Sequence, residues 1–145
     1  MIIDGEAFLF EYNVRMGDPE TQVVLPRIQN DMAALLLATV EKRLHEVEIQ
    51  INDQAAATVV SVAGGYPEAF EKGHAISGLA GNGLIFQAGT AQIDNKIVTN
   101  GGRVLASTGF GNDVQEAEGT KQGFNINPPT NTNILSTKTI NITTS

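Results

Sequence analysis

From Val47 onward the chain is written in short runs of β-branched and aromatic residues separated by glycine. This punctuation limits the fold more than any other feature. "VEIQI" alternates, "ATVVSVA" ends at Gly64-Gly65, "GLIFQAGTAQI" and "KIVTN" flank Asp94-Asn95, and "GGRVLASTGF" has glycines at both ends. Runs of this length bounded by turn residues read as strands, and the pair around Asp94-Asn95 reads as a hairpin. "NDVQEAE" then starts a last helix. The region is mostly antiparallel β-structure.

The first third reads differently. Phe8, Phe10, Tyr12 and Val14 fall on one face of an alternating segment, and Leu9, Glu11, Asn13 and Arg15 on the other. Such alternation over residues 7–15 predicts a strand. The strand stops at Gly17. Asp18-Pro19-Glu20 reads as a helix start, with Asp18 as N-cap, Pro19 at the first helical position and Glu20 in the first turn. Pro26 keeps this helix short. Asn30 is placed to cap a second helix, whose Met32, Leu35, Leu36, Val40 and Leu44 form a stripe expected to be buried and which ends in the basic "EKRLH". The whole is an α+β arrangement. From Glu118 the chain becomes rich in Asn, Thr and Ile around Pro128-Pro129, and residues 118–145 are expected to form a disordered tail.

Composition excludes several classes. At 145 residues the chain fits one domain, or a large domain plus a tail. A net charge of -7 argues against nucleic acid as partner, since phosphate backbones need clustered Lys and Arg, but suits a cationic metal or a metal–nucleotide complex. The absence of cysteine excludes disulfides, thiolate catalysis and Cys-ligated zinc. "MIIDGEAFLF" carries two acids and no basic start, unlike a signal peptide. The longest apolar run, "MAALLLATV", is too short to span a bilayer, so no membrane role and a cytoplasmic location are expected.

The residues with chemistry cluster early. Glu11 and Asn13 share a strand face at about 6.5–7 Å, a spacing from which two oxygen ligands can reach one hard cation such as magnesium. Arg15 extends the row and can meet phosphate or carboxylate in a bidentate way. Asp18 and Glu20 lie just beyond. On spacing alone, a half-exposed edge strand with a solvated polar face would show the same row. The words "AGGYP", "GLAGNG" and "NGGRV" contain no Walker-type phosphate loop and read mainly as turns and strand ends. The alternative is that Gly64-Gly65 and Gly101-Gly102 let backbone approach a substrate. Lys72 and Arg103 are candidate anion contacts, although lone cations are usually solvated. His45 and His74 are isolated too. Asn141-Ile142-Thr143 fits a glycosylation sequon by accident.

Read as words, "EYNVRMGDPETQVVLPRI" closely resembles the signature of the phosphoribosylamine–glycine ligase family, the glycinamide ribonucleotide synthetases of the ATP-grasp group. The resemblance continues in register through "LLLATVEKRL", "GGYPEAFEKGHAISGL", "FQAGT" and "VTNGGRVLASTGFG", covering Asp4 to Ala117. Gln87 departs from the family's common "FHAGT", where His stands.

What the resemblance implies is specific. The fold would comprise the last strand and helices of an ATP-grasp core in residues 1–45, an antiparallel β-rich C-terminal domain in 46–117, and a non-family tail in 118–145. The activity would be ATP-dependent joining of glycine to 5-phosphoribosylamine through a glycyl phosphate, a step of purine biosynthesis. The metal would be Mg²⁺ or Mn²⁺, ligated by Glu11 and Asn13, with ATP as co-substrate. Arg15, Asp18 and Glu20 would border the substrate and phosphate cleft.

The resemblance also implies that the chain starts at an internal position of the family and leaves its reading frame near Ala117. The isolated chain is then expected to be inactive and to self-associate through a truncated sheet edge. The alternatives are a non-catalytic module complementing a separately encoded N-terminal part, and a nonfunctional gene fragment.

Overall fold

The computed structural model describes residues 1–12 and 14–127 of the chain. Among them, three antiparallel sheets and three α-helices form. A small hairpin pairs β1 (Ile2–Ile3) with β2 (Glu6–Ala7) around Asp4 and Gly5, both at positive φ. A three-stranded sheet has the order β3 (Ala55–Val62), β8 (Arg103–Gly111), β5 (Leu84–Gln87). A four-stranded sheet has the order β6 (Thr90–Ile93), β7 (Lys96–Thr99), β4 (Ala75–Ser77), β9 (Asn125–Asn127). The helices are α1 (Thr21–Val24), α2 (Met32–Val40) and α3 (Val114–Thr120).

The β-region follows the sequence pattern. Asp94 and Asn95 take φ of 46° and 61° and close the β6–β7 hairpin, Ile93 opposite Lys96. This is the left-handed pair that a tight two-residue hairpin demands. Val104, Leu105, Ile76 and Ala63 form the core, with Phe70, Ile85, Ile97 and Ile126 packed around them. Helix α3 is capped by Asp113, whose carboxylate accepts from Glu116 N, and lies close on β3 and β8. The small residues explain how close. A Cβ at Gly109 or Gly111 would collide with the backbone of Ala117.

The two larger sheets share a seam. The chain leaves the three-stranded sheet at Gly89 and returns to it through Asn100–Gly102. At that crossing Asn100 N and Gly101 N both donate to Gly89 O, at 2.8 and 3.0 Å. A Cβ on Gly89 would meet Gly101 Cα and Arg103 O. These glycines, and Gly102 under the Tyr66 ring, serve backbone packing.

Several expectations are corrected. Residues 8–12 form no strand, and Phe8, Leu9, Phe10 and Tyr12 are exposed. A strand needs neighbours for its N–H and C=O groups; Phe8 pairs with Met1, at 2.7 and 2.9 Å, and past it no strand pairing continues among the described residues. The α2 stripe is only partly buried: Leu35 and Ala38 are covered, whereas Leu36, Leu37 and Val40 are 61%, 55% and 79% exposed. A helix apolar on all sides needs cover on all sides, which the described residues do not provide. Asp31, not Asn30, caps α2, accepting from Ala33 N and Ala34 N. Asn30 uses its amide as a second peptide group, donating to Glu48 O and accepting from Gln50 N. "VEIQI" contributes one bridge, Ile51 to Ile28, rather than a strand. The tail boundary expected at Glu118 falls inside α3, and β9 pairs with β4, because Ile126 and Phe124 find cover on the core. Residues 128–145, with the sequon, lie outside the described residues.

Candidate functional site

Pro26 shapes the site before any charged residue does. Having no N–H, it cannot donate to Gln22 O, four residues earlier. That carbonyl is taken instead by the hydroxyls of Thr108, at 2.7 Å, and Thr58, at 3.2 Å. The two threonines are ladder partners on β8 and β3, buried, with hydroxyls 2.6 Å apart. Helix α1 is thereby fastened to the sheet.

The loop before α1 is organised around Gly17. Its N–H donates to Glu20 Oε1 at 2.6 Å, and its carbonyl accepts from Thr21 N and Thr21 Oγ1. Glu20 is thus spent on holding its own turn. Asp18 does not cap the helix as the sequence suggested. Its Oδ1 accepts from Gln22 Nε2 at 2.8 Å, and its Oδ2 faces Arg103 Nη1 at 3.0 Å. The same Nη1 reaches Asp18 O at 3.2 Å. The Gln22 amide holds the Asp18 carboxyl below its ordinary range, and Arg103 adds to this against partial burial. In return, the Asp18 hydrogen bond raises the Arg103 guanidinium above its ordinary value, with Tyr66 adding to it.

Between this loop and the sheet lies a cleft of about 770 Å³. Arg15, Asp18 and Gln22 line one wall, and Phe86, Gln87 and Arg103 the other. Its formal charge comes from two guanidiniums and one carboxylate, and that carboxylate is already paired. Arg15 Nη1 donates to Met16 O at 3.3 Å. Gln22 Oε1 is buried and has no hydrogen-bond partner among the described residues. A cleft so built can take an anionic group on Arg15.

The structure brings Arg15 and Asp18 to this cleft and leaves Glu20 outside its lining. Glu11 is exposed on the irregular arm, and Asn13 lies outside the described residues. Among the described residues no group of three or more His, Asp or Glu is placed to hold a metal. Glu11 alone does not make a magnesium shell. His74 pairs with Glu71 at 3.3 Å. Gln87 accepts from Thr90 Oγ1 at 2.9 Å. Sequence reasoning missed Gln22 and named Arg103 as a candidate anion contact without its tie to Asp18. Its partner is 85 residues away, and only "GGRV" opening a strand hinted at its placement.

Comparison with known proteins follows the same lines. A family model described as phosphoribosylglycinamide synthetase, C domain, matches residues 56–123. The bifunctional purine biosynthetic protein PUR2,5 of Pichia angusta is 49% identical over 118 residues, covering 79% of this chain and 15% of that protein. A phosphoribosylamine–glycine ligase of Vibrio vulnificus is 45% identical over 119 residues, covering 79% of this chain and 28% of the ligase. The crystal structure of a phosphoribosylamine–glycine ligase from Thermotoga maritima superposes with a TM-score of 0.66 at 37% identity, covering 88% of this chain and 33% of that one. The chain therefore spans about a third or less of the length of these relatives.

Proposed function

Since the chain belongs to the phosphoribosylamine–glycine ligase family, we propose that it supplies the C-terminal part of an ATP-dependent ligase that joins glycine to 5-phosphoribosylamine. In that reaction ATP phosphorylates the glycine carboxylate, and the amine of phosphoribosylamine attacks the acyl phosphate. Glycinamide ribonucleotide, ADP and phosphate leave. Residues 1–45 act as the end of an ATP-grasp core and residues 46–117 as the β-rich C-terminal domain, in the cytoplasm.

The observation that carries this reading is the cleft. It joins the loop of the "EYNVRMGDPETQ" motif to the sheet of the C domain, with Arg15 unpaired by any carboxylate in the described structure. Arg15 receives an anionic oxygen of a phosphorylated or carboxylate substrate. Glu20 keeps the Gly17 turn in shape. Glu11 and Asn13 would supply two oxygen ligands to Mg²⁺ or Mn²⁺, and such an ion would neutralise phosphate charge.

A second reading has its own support. The exposed Phe8, Phe10, Leu36 and Val40 fit a module that completes a separately made N-terminal part.

Two assays decide. The purified chain, given ATP, glycine and phosphoribosylamine, is expected to show no turnover, and turnover near that of an intact ligase overturns the fragment reading. A chimera in which this chain replaces the matched segment of the Vibrio vulnificus ligase is expected to be active. A folded but inactive chimera overturns the ligase reading. Activity on mixing the chain with the remaining ligase segment, unfused, supports the complementing module.

A further inference from the structure

Three features converge on Arg103. The β3–β8 register shifts between Ser61 and Val62, so that Ser61 pairs with Leu105 and Val62 with Arg103, and Val104 is left over. Such a bulge bends its strand and redirects the neighbouring side chains. Tyr66 covers Gly102 so closely that a Cβ there would collide with its ring, which fixes the backbone just before Arg103. From this place Arg103 Nη1 contacts Asp18 twice, at Oδ2 and at the backbone carbonyl. An ion pair alone would restrain only a side chain. The carbonyl contact restrains the loop itself.

We propose that Arg103 is a positioning residue: by gripping both the carboxylate and the backbone of Asp18, it holds residues 15–20 against β8 and so sets the place of Arg15 in the cleft. Asp18 is then a handle for the loop rather than a ligand of the substrate. The grip does not depend on the ligase reading, but its use, placing Arg15 for an anionic substrate group, rests on it.

The test uses the full 145-residue chain, isotope-labelled, as wild type, Arg103→Gln, Arg103→Lys and Asp18→Asn. Amide hydrogen exchange is followed at Gly17 and Thr21, both bonded within the loop, and at Val59 and Val60 in β3 as the control for global stability. In Arg103→Gln and Asp18→Asn, exchange at Gly17 and Thr21 is expected to rise by about two- to fivefold, the scale of one exposed ion pair. Val59 and Val60 should not change, and Arg103→Lys should restore part of the protection. Unchanged exchange at Gly17 and Thr21 in both variants overturns the proposal, as does equal acceleration of the β3 amides.

Inorganic phosphate and ribose 5-phosphate are then titrated while the Arg15 side-chain resonance is read. A grip that passes the exchange test while neither probe moves Arg15 upholds the positioning role and removes the anion site from the functional reading. Probe binding with no loosening in the variants does the reverse.

Discussion

Thr58 and Thr108 face each other across the β3–β8 ladder, hydroxyl oxygens 2.6 Å apart, and between them satisfy the carbonyl that Pro26 orphans at Gln22. Two protons serve these contacts. The shorter distance to Gln22 O belongs to Thr108, so its proton goes there. The Thr58 proton then bonds mainly to Thr108 Oγ1 and weakly to the carbonyl.

Replacement of Thr108 by Val should therefore hurt more than the same change at Thr58. Thr108→Val leaves a buried carbonyl with only the longer contact, an imbalance that costs about 1–3 kcal/mol. Thr58→Val removes a proton that Thr108 Oγ1 can do without. Urea unfolding of the two variants checks the order, and a Thr58 variant less stable than the Thr108 one refutes the proton assignment.

Asp18 gives stability a pH dependence of definite sign. Its carboxyl titrates below the ordinary range in the folded chain, first because of Gln22 and then Arg103. The stabilisation is complete above the unfolded carboxyl value of about 3.9 and is lost as pH falls through the lower folded value. Asp18 and Arg103 side chains are 53% and 43% exposed, so solvent screening limits the pair to about 0–1 kcal/mol. Melting curves of wild type and Asp18→Asn should differ slightly at pH 7 and converge in strong acid. A gap that widens on acidification contradicts the assignment.

The exposed face of α2 should govern self-association. Leu36, Leu37 and Val40 present an apolar surface with nothing on it among the described residues. The double variant Leu36→Lys, Val40→Glu is expected to shift the sedimentation mass toward the monomer. Its melting temperature should hardly change, since exposed positions contribute within roughly ±0.5 kcal/mol. An unchanged mass distribution would assign association to another surface.

Gly109→Ala should lift α3 from the sheet. The new methyl would overlap Ala117 O, and Thr120 Oγ1 lies close by. A loss of about 1–3 kcal/mol is expected from overpacking. Gly119→Ala, where a Cβ meets nothing, is the control and should be neutral or stabilising. Equal effects at both positions would show that close packing against Ala117 does not set the outcome.

What was legible in the sequence was local. The Asp94-Asn95 hairpin, the Asp113-capped α3 and the early end of α1 at Pro26 each depend on residues within a few positions. The β-strand expected over residues 7–15 failed because alternation reports which side chains share a face, and says nothing about whether a neighbouring strand exists. The α2 stripe failed for the same reason. Cap choice between Asn30 and Asp31 turned on Glu48 and Gln50, which approach only in the folded chain. At the cleft, Arg15 and Asp18 were found from one motif. Arg103 was named as a candidate anion contact, but its pairing with Asp18 was not, because no period connects positions 18 and 103.

The seam at Gly89 and Gly101 sets a limit on how this architecture can vary. The β5–β6 and β7–β8 passages of chain between the two larger sheets meet at one point, backbone against backbone. Any side chain added there acts as a wedge, and the angle between the sheets would open about that point. Gly89 also rests on the carbonyl of Arg103. A wedge at the seam would thus be felt at Asp18, and the dimensions of the cleft are gauged by a junction that contributes no side chain to it.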